Sequence, residues 1–584
     1  MTDYNDVFEE HQFNSCDFND WEEGLAMRTY TADFETTTDP DDCRVWAYAV
    51  CDVRDPEFIV YGNSIDDFID WCEKSANCQL YFHNLAFDGA FIMDWLENNG
   101  WKWVESDKKV SDFTYTTLIS NMNLVYMITL YFNKYRKVKI YDSFKVIPLS
   151  IANMSKAYGV PLLKGSIDYE AYREPGHELT LEEKEYIKND VQIAAGALVQ
   201  FIDAGLTKMT AGSNALYYYK KSLGGYEKFR KVYPEITGGE DTFIRKAYRG
   251  GFTYCNPEYA GKLLGEGMVF DVNSLYPSVM WGTDGQQLPF GTPKWFDGKY
   301  EHDSWMPLWV ACVNFHFKLK PYHVPCIQIK GNMRFKQTEY LTDSKGEVTI
   351  CITSVDWDLI TQQYDVWNVK WMGGFKFQSS DKQFRSYVDY WTEQKIEAAR
   401  EGNEGKRSIA KLMLNSLYGK FATRIEVTGR MPKLIDEVVR YVDMEPQLRS
   451  PVYLPVGVFV TSYARYKTIT SAQAVQDRFV YADTDSLHLL GTEIPTTLEI
   501  DPYQLGKWKH ESTFTRAKFI GAKCYCEEID GNMKVTVAGM PKNLHDQVTF
   551  ENFQTGAVYD GKLYQKHVKG GIVLVPGEMM IKER

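Results

Sequence analysis

The chain has 584 residues, 44% hydrophobic and 25% charged, which is too long for one core and ordinary for a globular protein of several domains. Its 65 Lys and Arg against 79 Asp and Glu leave a net charge of −14, which argues against a simple nucleic-acid binder with basic surface throughout. No apolar run is long enough to span a membrane, no signal peptide is visible, and the 11 Cys form no paired CxxC zinc pattern, so a cytoplasmic protein with free thiols is expected.

Residues 1–26 hold eight acids and no Lys or Arg; without them the balance is 65 − 71 = −6. Met27 is expected to be the natural start, because Glu22-Glu23-Gly24 can be encoded by a purine-rich run two codons ahead of it. A genuine acidic tail is the alternative. From Met27 the residues alternate as a strand does, Thr29, Thr31 and Asp33 against Tyr30, Ala32 and Phe34. Strand-like and helical pieces then alternate to about residue 205, an α/β pattern. Within them TLEEKEYIKNDVQIAAGALVQFI predicts an amphipathic helix, with Thr180 as N-cap and Glu183 three residues on. Residues 211–282 carry AYRGGFTY and DVNSLYPS. Residues 283–381 are rich in Pro, Gly, Trp and β-branched runs and predict a mostly strand-built insertion. Residues 382–423 predict two helices around EGNEGKR, 424–452 a short insertion, 453–537 strands with a helix, and 538–584 a small terminal domain.

Two sets of acids stand out. In the first, Asp33 and Glu35 sit at i and i+2 of a strand and face one way. Asp88 follows in YFHNLAFDGAF, and Tyr186 and Asp190 share a helix face at i and i+4. In the second, Asp271 ends the apolar run GMVF, and Asp483 and Asp485 obey the same i, i+2 rule in a strand or tight hairpin, YADTDS. Clustered acids repel, so a fold that gathers them needs cations. Two divalent metals held in this way stabilise the attacking and leaving oxygens of a phosphoryl transfer. Between the acids of the second set lies KLMLNSLYGKFA, with Lys411, Asn415 and Tyr418 on one helical face. Lys411 offers a cation to a triphosphate or a proton to pyrophosphate, and Tyr418 offers a ring to close on a base pair. The plainer alternative is a core helix built on Leu412, Leu414 and Leu417. The 39 Tyr serve equally as core or as stacking surface at this stage.

These motifs carry a resemblance. DFET, HNLxFDG and YxxxD resemble the three exonuclease motifs of family B DNA polymerases, and DxxSLYP, KxxxNSxYG and YxDTDS resemble their motifs A, B and C, in order. The likeness implies an α/β and α+β multidomain fold. A ribonuclease-H-like DEDD exonuclease domain (27–210) would precede a right-hand polymerase with palm (211–282 and 453–537), fingers (382–423) and thumb (538–584). By the resemblance Asp33, Glu35, Asp88 and Asp190 hold metals for 3′→5′ exonuclease chemistry, assisted by Tyr186 and Lys164. His83, Asn84, Phe87, Ser143 and Tyr169 hold the frayed strand. Asp271, Asp483, Asp485 and the Val272 carbonyl serve the polymerase metals, two Mg²⁺ or Mn²⁺ per centre. Tyr276 lies under the deoxyribose and excludes a 2′-OH, and Lys395, Arg407, Lys411, Asn415 and Tyr418 hold the nucleotide. Tyr248, Arg249, Gly250, Gly251, Thr461, Arg465, Lys523 and Tyr525 contact DNA, and the two glycines let backbone approach phosphate.

MTAGS, AYRGGFT, HESTF and VTFENF are similar to the protein-primed, phage-type branch of the family. There, insertions at 283–381 and 424–452 correspond to terminal protein regions. The first implies docking of a priming protein as partner of DNA primer-template and dNTPs. The second implies a ring around DNA, hence processivity and strand displacement. Use of nucleic-acid primers only, or a non-catalytic replication scaffold, are the rival readings. The N-terminal extension, a longer 391–411 segment and a shorter segment after Tyr525 depart from the family pattern.

Overall fold

The computed structural model describes residues 27–105, 109–162, 165–329, 334–336 and 338–582. The expectations about residues 1–26 and Lys164 lie outside the described residues.

A ten-stranded mixed sheet organises the first part of the chain. Thr29–Thr36 is central, parallel to Cys78–Phe82 and antiparallel to Val45–Asp52. The predicted helix runs Leu181–Asp203, and its start is set by a complete capping box between Thr180 and Glu183. It packs on Thr29–Thr36, where the Thr31 hydroxyl donates to the Val191 carbonyl at 2.7 Å. That bond fixes the helix beside the strand face that carries the first acids.

Two strands of this sheet come from far downstream. Gly429–Ile435 and Val438–Asp443 form a hairpin whose first strand pairs Arg430 with Ile119. The insertion expected at 424–452 therefore extends the first sheet. Its tip meets a second hairpin, Val558–Val568 with Gly571–Met580: the Tyr441 and His567 rings are 5.2 Å apart, and Lys569 and Glu437 pair at 3.1 Å. The terminal hairpin returns to the first domain. A Cβ on Gly571 would lie 2.5 Å from the Phe91 ring, so only glycine fits this contact.

The second acid set rests on a five-stranded antiparallel sheet in the order Trp508–Phe514, Gly267–Val272, Ser486–Leu490, Phe479–Asp483, Thr253–Cys255. The helix Leu454–Ala474, apolar around most of its circumference, is buried against it. Beside it a four-stranded sheet contains Arg516–Gly521, Cys524–Ile529 and Asn532–Val537. Residues 283–381 are strand-built as expected, a four-stranded sheet with the helix Ser354–Gln363. There Cys312 and Cys351 face each other across paired strands, Cα atoms 4.0 Å apart, and form a disulfide. This corrects the expectation of free thiols for these two residues; register, which sequence spacing does not reveal, brings them together. The helices Arg385–Arg400 and Glu404–Ser416 pack as a hairpin whose turn needs Gly402 at φ 69°. The whole is an α/β and α+β multidomain protein.

Candidate active sites

In the first site, Asp33 and Glu35 project from Thr29–Thr36, Asp88 from the first turn of Leu85–Asn98, and Tyr186 and Asp190 from Leu181–Asp203. Glu35, Asp88, Tyr186 and Asp190 are each at most 7% exposed. Burial, and then the charge of Asp33, push the Asp88 carboxyl well above the ordinary carboxylate range. Tyr186 meets the Tyr169 hydroxyl and is crowded by Glu35 and Asp190; burial first and these neighbours second raise it. Asp33 thus lies near Asp88, and Glu35 and Asp190 lie near Tyr186.

Beside them opens a pocket of about 540 Å³ lined by Asp33, His83, Asn84, Phe144 and Asp190 among others. His83 Nδ1 lies 3.0 Å from Ser143 Oγ, and Ser143 donates to the Phe82 carbonyl. Asn84 adopts φ 72°, and its N–H donates to Asp142. Phe87 packs on Phe91 beneath the surface. Sequence reading missed Phe144, exposed and 5.4 Å edge-on from His83, although it follows Ser143 directly.

In the second site, Asp271 lies in Gly267–Val272 and Asp483 ends Phe479–Asp483, while Asp485 occupies the turn into Ser486–Leu490. The Val272 N–H donates to the Asp485 carbonyl at 2.8 Å, which ties the two acids' backbones. Burial and the Asp485 charge push Asp271 up to about 7, against the pull of Lys509 and Lys411. Asp485 is also raised, by burial and by Asp483. Asp483 accepts from Thr253 at 3.0 Å and pairs with Lys523 at 3.2 Å.

Tyr276 and Tyr418 stack with centroids 4.0 Å apart, and Tyr248 is close to both. Tyr418 opens a separate short helix after Leu417, which itself keeps helical dihedrals at φ −72° and ψ −50°. Burial first, and then the charges of Lys411, Arg407 and Lys509, lower the Lys395 ammonium, so four cations lie near one another. Arg407 also pairs with Glu404 at 3.0 Å. Lys509 was not singled out; register puts it directly opposite Asp271, information no motif carries.

Other expected DNA contacts sit differently. Thr461 is buried and bonds its own helix, and Arg465, 5% exposed, pairs with Asp356 at 2.7 Å and donates to the Arg249 and Gly250 carbonyls. Arg249 donates to the Cys351 carbonyl. A buried cation needs fixed partners, so these side chains shape the 249–251 backbone rather than face a groove. Tyr525 is 8% exposed and stacks inside, whereas Lys523 reaches the acids. At Gly250 an added Cβ meets nothing, but at Gly251 it would meet Thr484 at 2.7 Å. The requirement for glycine there is thus packing against the Asp483–Asp485 turn.

Among the described residues no three acidic, His or Cys side chains are drawn together closely enough to hold a metal. In each site burial, and after it a neighbouring carboxylate, raises an acid, Asp88 in the first and Asp271 and Asp485 in the second, and an all-oxygen donor set of this kind suits a hard divalent cation.

Residues 69–176 and 171–501 match the family "DNA polymerase type B, organellar and viral". The DNA polymerases of Bacillus phages Nf and phi29 are 45% and 43% identical, each over 96% of this chain and 100% of its own length. The structure of phi29 DNA polymerase complexed with primer-template DNA and incoming nucleotide substrates matches with a TM-score of 0.90 at 42% identity, covering 95% of this chain and all of that one. Asp88, Asp190, Asp271, Asp483, Asp485, Tyr276 and Tyr418 fall within the residues that match the family, and the chain belongs to the family B DNA polymerases of the phi29-like phage type.

Proposed function

We propose that this DNA polymerase is protein-primed, proofreads with a 3′→5′ exonuclease, and displaces strands processively in the host cytoplasm. The observation that carries the reading is the pair of carboxylate groups on two different sheets, in each of which burial and then a neighbouring carboxylate raise an acid.

In the polymerase site Asp271, Asp483, Asp485 and the Val272 carbonyl would hold divalent metal, Mg²⁺ or Mn²⁺. When bound, two such ions stabilise the attacking and leaving oxygens of the transfer. The chain's own groups do the rest. Lys395, Arg407 and Lys411 neutralise the triphosphate, and Lys411 gives a proton to the departing pyrophosphate. Tyr276 and Tyr418 form the floor for the sugar and base, and Asn415 with Tyr248 borders it. Lys523 holds the primer side at Asp483. In the exonuclease site Asp33, Glu35, Asp88 and Asp190 are the metal-holding set. Tyr186 with Tyr169 orients the water, Lys164 assists, and His83, Asn84, Phe87 and Ser143 grip the strand end.

The domain boundaries are proposed as exonuclease 27–210, palm 211–282 and 453–537, fingers 382–423, thumb 538–584, with terminal-protein-region insertions at 283–381 and 424–452. The contacts of Gly429–Asp443 with both the exonuclease sheet and the terminal hairpin support a ring that retains DNA. Protein priming is tested by incubating the polymerase with labelled dATP and a small basic protein encoded beside it. Label joined to a protein hydroxyl supports the reading. Extension of oligonucleotide primers with no labelled protein overturns the priming part alone.

A further inference from the structure

A buried polar joint lies between the sheet that bears the polymerase acids and the sheet beside it. His488 Nδ1 lies 2.6 Å from Glu527 Oε1; the two side chains are 2% and 0% exposed. The other Glu527 oxygen has no hydrogen-bond partner among the described residues. His488 is on Ser486–Leu490, three residues beyond Asp485, and Glu527 is on Cys524–Ile529, two beyond Tyr525. The His488 ring packs within 5.3 Å of the Tyr481, Phe519 and Tyr525 rings. A second polar link crosses the same seam: the Lys523 N–H donates to the Tyr481 hydroxyl at 2.9 Å. Lys523 itself is held at φ 53°, and its ammonium reaches Asp483 at 3.2 Å.

A fully buried His–Glu pair with one oxygen unsatisfied contributes little net stability, because desolvation offsets the attraction. An apolar pair would fill the seam at least as well. What the polar pair adds is register: its bond survives only in one relative position of the two sheets, whereas aromatic rings slide. We propose that His488 and Glu527 are positioning residues for polymerisation, fixing the second sheet so that Lys523 stands at Asp483. This rests on the reading of Asp271, Asp483 and Asp485 as the polymerase centre. The pair acts through Lys523 and touches no substrate.

The test compares wild type, the double variant His488→Leu/Glu527→Leu, Lys523→Ala and the triple variant. Replacing both partners with apolar groups avoids stranding a buried charge, so the double variant keeps its fold. Exonuclease activity on single-stranded DNA, from the other sheet, and the thermal midpoint report that fold. The double variant is expected to extend primers about tenfold to a hundredfold more slowly at low primer-template concentration, since a 1 Å misplacement is worth about 10²-fold. Saturating DNA should recover most of the rate, because the loss is in holding the primer end. In the Lys523→Ala background the same replacements should change the rate less than about threefold, as expected of residues in one unit. Normal extension by a folded double variant overturns the proposal, as does a full additional loss in the Lys523→Ala background. If the double variant does not fold, Glu527→Gln takes its place: it keeps the shape and one acceptor, so near-normal extension with tight primer binding is expected, and a loss equal to that of Lys523→Ala overturns the proposal. Asp485→Ala is run alongside; persistence of its polymerisation would refute the site reading itself, independently of the joint.

Discussion

Gly251→Ala probes how closely the catalytic turn is held. The added methyl would lie 2.7 Å from both Cγ2 and Oγ1 of Thr484 and 3.0 Å from its Cβ. Reaching ordinary contact at 3.4 Å requires the turn to move by 3.4 − 2.7, or 0.7 Å. Thr484 has little room to yield. It sits at φ 64° between Asp483 and Asp485, and its N–H is bonded to the Phe252 carbonyl at 2.6 Å. Overpacking of this kind costs roughly 1–3 kcal/mol. The displacement falls on two acids, so the effect on rate should exceed the effect on stability, on the order of tenfold to a hundredfold in primer extension. Single-turnover extension measures it, with exonuclease on single-stranded DNA as control. Thr484→Gly removes every clashing atom, and glycine suits the positive φ. The double variant Gly251→Ala/Thr484→Gly should therefore recover extension. If Gly251 serves instead to admit a DNA phosphate, the second substitution will not rescue; failure of rescue in a folded protein would refute the packing argument.

Three further expectations follow from separate parts of the molecule. Tyr276→Val should raise ribonucleotide incorporation in a competition assay with little change in exonuclease rate, because the ring stacked on Tyr418 is the proposed barrier to a 2′-OH; unchanged discrimination would move the gate elsewhere. Burial opposes ionisation of Glu183, but the Thr180 N–H, Arg173 and His177 outweigh it and bring its pKa to about 2. A depressed folded pKa stabilises fully above the unfolded value of about 4.3 and is lost as pH falls toward 2. Glu183→Gln should thus cost about 0.5–2 kcal/mol near neutrality and flatten the acid limb of the stability curve; an unchanged limb counts against this cap. Deleting residues 429–443 should leave extension of short primers intact while long synthesis through duplex collapses, and equal product lengths would rule out the ring.

Much of this was legible because polymerase chemistry leaves local marks. The i, i+2 spacing of Asp33 and Glu35, the Thr180–Glu183 capping box and the Gly402 turn depend on neighbours within a few residues, and all lie where spacing put them. What escaped depends on register or on distant partners. Lys509 faces Asp271 only through strand pairing. Gly429–Asp443 joins a sheet formed some 300 residues earlier through Arg430 and Ile119. Arg465 and Thr461, which the resemblance placed at DNA, belong to a helix buried on nearly every side, a burial that their own residue types do not signal. Gly251 was read for freedom of backbone, whereas its role turns on a side chain 233 positions away, 484 − 251. Pattern reports which groups do chemistry; the packing that aims them is tertiary.

The most direct test of two independent centres is a pair of activities measured on the same purified variants. Asp33→Ala/Glu35→Ala should abolish release of nucleotides from single-stranded DNA and keep most primer extension. Asp485→Ala should abolish extension and keep nucleotide release. Loss of both activities in either folded protein would contradict the assignment of polymerisation and proofreading to separate carboxylate clusters.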